Sequence, residues 1–133
     1  MLCDGIAMNN LAKTHSIKLV PEHREVHVSV AGFWAKAAMQ DFLQELAQTA
    51  APLAGTGPFS SYSDMREAMP QSREVADMIR QHLEAARERG LSRIAVLDPP
   101  ALWKLQYDRL SEGLEVAYFK SKIEALAWLR SAD

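Results

Sequence analysis

Residues 90–100 read GLSRIAVLDPP, and this stretch holds the clearest strand signal of the chain. Its four consecutive apolar residues, Ile94–Leu97, lie between an arginine and an aspartate, as in a strand that is covered on both faces. Gly90 is placed to end a preceding helix, and Pro99–Pro100 favours the start of the next one. A helix, a buried strand and another helix in succession indicate a sheet of mainly parallel strands.

The residues on the N-terminal side of this stretch predict further alternation of strands and helices. Apolar residues recur at helical spacing from Val75 to Ala86, and Ser72 is the expected N-cap of that helix. A loop over 64–71 precedes it, after a short strand over Phe59–Ser63. Before that strand, helical spacing extends from Ala35 to about Ala54.

The two ends of the chain complete the predicted order. An opening antiparallel hairpin is indicated by apolar residues that alternate with polar ones on both sides of 21–25: Ile17, Leu19, Val26, Val28 and Val30. At the other end, a third helix is followed by a strand over Leu114–Phe119 and by a final helix with a capping box at Ser121 and Glu124. The sequence therefore predicts one α/β domain over 15–133, in the order ββαβαβαβα, with a mixed, mainly parallel sheet and packed helices. We expect residues 1–14 to be a flexible N-terminus.

Composition limits the classes of function. The chain has 133 residues, of which 48% are hydrophobic, enough for one core. Fifteen basic against 17 acidic residues give a net charge of -2, so we expect no nucleic-acid partner. The arginines from Arg80 to Arg93 alternate with glutamates, as on a solvated helix face. A single cysteine, no secretory signal and no apolar run near the roughly 20 residues of a membrane span predict a cytoplasmic protein.

Motifs for catalysis and for cofactors do not occur in the sequence. Gly55-Thr56-Gly57 follows a predicted helix and precedes a strand, the reverse of a phosphate-binding loop. There is no Gly-x-Ser-x-Gly elbow for a nucleophile. His23 falls in the hairpin turn and His27 on the outward face of its strand, so they do not share a metal-ligand geometry. We therefore expect no enzymatic activity, no metal and no cofactor.

The predicted order, together with three short segments, resembles the STAS-type (anti-sigma-factor-antagonist) family of small bacterial proteins over about 17–130. The segments are Asp64–Ala68 (DMREA), Gly90–Val96 and Ala125–Leu129. The resemblance implies a non-enzymatic protein-binding or regulatory module. In the sigma-regulating members, a serine in an Asp-Ser-Ser/Thr-Gly segment is phosphorylated by a partner kinase. Ser72 falls near that place but lies in Gln-Ser-Arg-Glu, without the aspartate, the second hydroxyl residue and the glycine, and an N-cap role also explains it.

Two functions follow from this resemblance. The first is binding of a protein partner of unknown identity through the segment 64–72, with Asp64, Arg66, Glu67 and Ser72 as binding or switch candidates. The second is carriage of a small apolar ligand, because STAS-like folds are similar to lipid-transfer domains of the CRAL-TRIO type. Its candidate lining residues are Trp34, Met65, Met69 and Trp103, which would equally fill a core.

Cavity volume separates these two hypotheses. A pocket of roughly 300 Å³ or more favours the carrier. Unpaired sheet edges at the hairpin or the last strand also leave a homodimer open.

Overall fold

The computed structural model describes residues 15–131. Its strands are β1 (His15–Val20), β2 (Glu25–Gly32), β3 (Phe59–Ala68), β4 (Leu91–Leu97) and β5 (Glu115–Phe119). Its helices are α1 (Lys36–Ala50), α2 (Arg73–Glu88), α3 (Ala101–Leu110) and α4 (Lys122–Arg130). This order confirms the predicted ββαβαβαβα fold. The expectation for residues 1–14 lies outside the described residues.

The five strands form one mixed sheet whose spatial order follows the chain, β1-β2-β3-β4-β5. β1 and β2 pair antiparallel across a 3-10 turn at Pro21–His23, and the other neighbours pair parallel. β4 is an interior strand, and its residues alternate between two separate apolar clusters, Ile94 and Val96 in one, Ala95 and Leu97 in the other. The prediction that this strand is covered on both faces is confirmed.

The helices are distributed unequally over the sheet. α1, α2 and α3 pack on one face, where Phe42, Ile79 and Trp103 join the larger apolar cluster. α4 packs on the opposite face, where Ala125 and Leu129 contact the smaller one. None of the helices between residues 15 and 131 is long and apolar enough to cross a bilayer.

The predicted loop over 64–71 is wrong for its first five residues, because β3 continues to Ala68. Its ladder with β2 pairs Ser29 with Asp64 and, past a register shift, Gly32 with Ala68. Met65 and Ala68 are buried on this extension. Pairing with β2 therefore outweighs the polar composition of the segment.

The first helix is shorter than predicted, since α1 ends at Ala50 and residues 51–55 form turns. Leu53 nevertheless reaches the core. Arg24 fixes the connection to β3, because its Nε donates to the carbonyl of Pro58 at 2.8 Å and its Nη2 to that of Leu53 at 3.0 Å. These bonds hold the connection after α1 against the hairpin turn.

Both predicted N-caps are present. The Ser72 hydroxyl accepts the N–H of Val75 at 3.2 Å, and the Ser121 hydroxyl accepts that of Glu124 at 3.1 Å. Gly90 follows α2 with a φ of +119°, and a side chain there would stand 2.5 Å from the carbonyl oxygen of Gly57. The sharp turn from α2 into β4 thus requires glycine.

Candidate apolar cavity between the sheet and two helices

A cavity of about 460 Å³ lies between the sheet and the helices α1 and α2. Its wall is mostly aliphatic and aromatic. The strands contribute Val26, Val28, Met65 and Ile94, α1 and α2 contribute Phe42, Leu46, Ile79 and Leu83, and α3 contributes Trp103 at one end. The inner part of the cavity therefore lies within the larger apolar cluster of the molecule.

Small side chains on the two helices explain why this space is not filled. Four lining alanines belong to α1 and the turn after it, and two to α2: Ala47, Ala50, Ala51, Ala54, Ala85 and Ala86. An alanine side chain ends at Cβ, so it does not reach the sheet across the distance set by its larger neighbours. Protein interiors usually leave few voids larger than a water molecule, so a gap of this size is unusual for a core.

Hydrogen bonds fix the end of the cavity nearest the start of α1. The indole of Trp103 donates to the sulfur of Met65 at 2.9 Å, and that of Trp34 donates to the carbonyl of Ala31 at 3.0 Å. The buried Gln71 side chain accepts a hydrogen bond from the backbone N–H of Trp34 at 2.9 Å and donates to the carbonyl of Gly32 at 3.0 Å. The polar groups at this end of the cavity all form hydrogen bonds with the protein, so the cavity is lined there by aromatic rings and a thioether.

Three of the four apolar-ligand candidates line this cavity together, namely Trp34, Met65 and Trp103. Met69 does not line it, and its side chain is 50% exposed. The reason is the end of β3, because Ala68 takes the inward position and the following residue lies outside.

The protein-binding candidates are not gathered into one site. The guanidinium of Arg66 donates to both carboxylate oxygens of Asp64, at 3.0 and 2.8 Å, and these bonds lower the pKa of that carboxyl. This pair lines a polar cleft on the α4 face of the sheet. Ser72 caps α2 instead, and Glu67 is exposed to solvent and belongs to neither the cleft nor the cap.

Sequence reasoning missed the polar residues at the opening of the cavity. His82 lies on the same face of α2 as Ala85 and Ala86, Arg89 follows as the C-cap residue of that helix, and both contribute to the lining. Burial lowers the pKa of His82. The signal was the spacing 82, 85, 86 and 89, which places these residues on one stripe of the helix, but the neighbouring glutamates indicated a solvated surface.

A buried carboxylate was also missed. Glu25 opens β2 and is 1% exposed, although it stands in the predicted hairpin turn. The guanidinium of Arg130 donates to both of its oxygens at 2.9 Å, and His27 lies 2.9 Å from one of them. Burial acts to raise the pKa of Glu25, but the bonds to Arg130 and His27 outweigh it and hold that pKa below its ordinary value of 4.5. This contact joins the start of β2 to the end of α4.

The architecture is a STAS-like α/β fold, as the sequence predicts. Among solved structures, the chain is similar to the crystal structure of an uncharacterized protein from the DUF3478 family, with a SpoIIAA-like fold, from Shewanella loihica PV-4. The TM-score is 0.64, and the match covers 86% of this chain and 91% of that chain at 19% sequence identity. At this identity the likeness shows the fold alone. No protein-family model and no curated protein matches the sequence.

Proposed function

We propose that this protein is a non-enzymatic carrier that binds a small apolar ligand between the sheet and the helices α1 and α2. The observation that carries the proposal is the cavity of about 460 Å³. Ligand pockets typically measure about 300–1,000 Å³ and are lined mainly by apolar and aromatic side chains. The volume also exceeds the roughly 300 Å³ that separates the carrier hypothesis from the interaction-module hypothesis.

Physical chemistry favours an apolar occupant over water. An apolar cavity offers water too few hydrogen-bond partners, whereas an apolar molecule restores the dispersion contacts that the lining side chains lack. Within residues 15–131, every buried side-chain nitrogen and oxygen has a hydrogen-bond partner. The inner wall therefore selects a ligand by shape and apolar contact, and Trp34 and Trp103 supply the largest flat surfaces.

The polar groups of the cavity support binding rather than chemistry. A hydrolytic site needs a nucleophile within hydrogen-bond reach of a base. Ser61 and Ser63 line the cavity, and their hydroxyl oxygens lie 3.3 Å apart. In the described part of the chain, no hydrogen bond joins either serine to His82. The two serine hydroxyls form a hydrogen bond with each other, which fits a structural role.

A neutral fluorescent probe tests the proposal without an assumption about the natural ligand. We expect N-phenylnaphthylamine to bind saturably with one site per chain and to be displaced by decanol, with a change in the fluorescence of Trp34 and Trp103. Ala50→Leu, which narrows the cavity, should weaken binding. Ala38→Leu makes the same change at an exposed position of α1 that does not line the cavity, and should not weaken it. Unsaturable binding, or equal effects of both substitutions, contradicts the carrier.

Binding of a protein partner stays a prediction. A STAS-like fold is compatible with a protein-binding function, and Arg66, Glu67 and Ser72 are exposed. However, Asp64 is engaged by Arg66, and the first five residues of the expected loop are strand. The cytoplasmic location and the homodimer likewise stay predictions.

A further inference from the structure

The cavity opens between the C-terminal halves of α1 and α2. The lining residues at this opening are exposed, and they include Gln48 and Ala51 on one side and Ala85 and Arg89 on the other. The opposite end is closed by the buried Trp34 and its hydrogen bonds. A ligand that fills the cavity from this opening would leave one end of itself beside these exposed residues.

Arg89 is the charged group at that opening. Among the cavity-lining residues of the described chain, it is the one with a permanent charge, and none of them is an aspartate or a glutamate. His82 lies two helical turns before it on the same stripe of α2, and its burial favours the neutral imidazole. An apolar wall with a single cation at its mouth is complementary to an apolar molecule with a single negative charge.

Between residues 15 and 131, the guanidinium of Arg89 takes part in no hydrogen bond or ion pair. It is not needed as a cap for the turn after α1, because the carbonyl of Leu53 already accepts from Arg24 at 3.0 Å and from the Thr56 hydroxyl at 2.8 Å. Arg89 lines the cavity, and its Nη2 points toward the turn after α1, where it lies 4.0 Å from the position of a Cβ on Gly55.

We infer that the ligand is an apolar carboxylic acid, whose chain fills the cavity and whose carboxylate pairs with Arg89 at the mouth. The inference rests on the proposed carrier function and adds the ligand class. Guanidinium binds carboxylate through two parallel hydrogen bonds, which gives direction as well as attraction. Both α1 and α2 end near this opening, and the partial negative charge of their C-termini disfavours an anion. A carboxylate there therefore depends on the arginine.

Decanoic acid and decanol, which differ in the head group, test the inference by displacement of N-phenylnaphthylamine at neutral pH. The wild-type protein should bind the acid about tenfold more tightly than the alcohol, as expected for one charge-assisted pair. Arg89→Gln should remove this preference by weakening the binding of the acid more than that of the alcohol, and Arg89→Lys should retain part of it. Arg87→Gln, an exposed neighbour outside the lining, should change neither affinity.

The outcomes distinguish the carboxylate inference from the carrier function on which it rests. Preference for the acid that disappears in Arg89→Gln and persists in Arg87→Gln supports the pairing. Equal binding of acid and alcohol, or a preference that Arg89→Gln leaves intact, overturns the carboxylate inference while the carrier stands. Binding of neither compound to wild-type protein overturns both.

Discussion

Ala50→Leu should stabilise the ligand-free protein, because the new side chain enters a space that the native core leaves open. Ala50 is partly buried at the end of α1 and lines the cavity. In a filled core the same substitution would force neighbouring side chains apart and destabilise the protein by about 1–3 kcal/mol. The sign of the change therefore distinguishes a real cavity from ordinary packing.

The magnitude follows from the number of carbon atoms that are added. Leucine has three more carbons than alanine, and each buried methylene contributes about 0.8 kcal/mol, which gives an upper limit of about 2.4 kcal/mol. Because Ala50 is only partly buried and the cavity is larger than an isobutyl group, we expect about 1–2 kcal/mol. The difference in helix propensity between alanine and leucine is small beside this value.

Urea denaturation of purified protein measures the free energy of unfolding. Ala38→Leu is the matched control, since Ala38 is an exposed residue of the same helix outside the cavity, and its effect should stay within about 0.5 kcal/mol. A destabilisation by Ala50→Leu, with Ala38→Leu neutral, would refute the cavity. A similar gain from both variants would attribute the effect to the helix instead.

Three further predictions concern stability. Glu25 has a lowered pKa in the folded protein, so its contribution to the free energy of unfolding is present above about pH 4.5 and is lost as the pH falls. Arg130→Gln should flatten this pH dependence, measured by urea denaturation from pH 7 to 3. At pH 7 it should lower the free energy of unfolding by about 2 kcal/mol, less than for a fully buried pair. An unchanged slope in Arg130→Gln would count against the pair. Gly90→Ala should lower stability by about 1–3 kcal/mol through its positive φ and the contact with Gly57, and a neutral thermal melt would contradict that geometry. Ser72→Ala should cost about 1 kcal/mol through the lost N-cap, whereas Ser72→Asp should not.

Much of the fold was predictable because local chemistry determined it. The alternation around the hairpin, the apolar run at Ile94–Leu97 and the N-caps at Ser72 and Ser121 all depend on residues close in sequence. The end of β3 was not predictable in this way. Polar residues interrupt its alternation, and its last residues are strand because β2 is available for pairing.

The candidate site was predictable only in part. Trp34, Met65 and Trp103 stood out as large apolar residues near predicted strand ends, and the fold brings them to one wall. The cavity itself depends on how far the alanines of α1 and α2 stand from the sheet, which no local pattern encodes. The role of Arg89 was hidden by its glutamate neighbours, and the partner of Glu25 lies 105 residues away in the chain.

A crystal structure of the protein with bromodecanol tests the central claim most directly, because bromine gives an anomalous signal that marks the position of the ligand. The carrier account predicts one bromine peak and continuous density for the chain between the sheet and the helices α1 and α2, in contact with Trp34 or Trp103. Bromine peaks confined to the surface, with the lining side chains closed over the cavity, would contradict it.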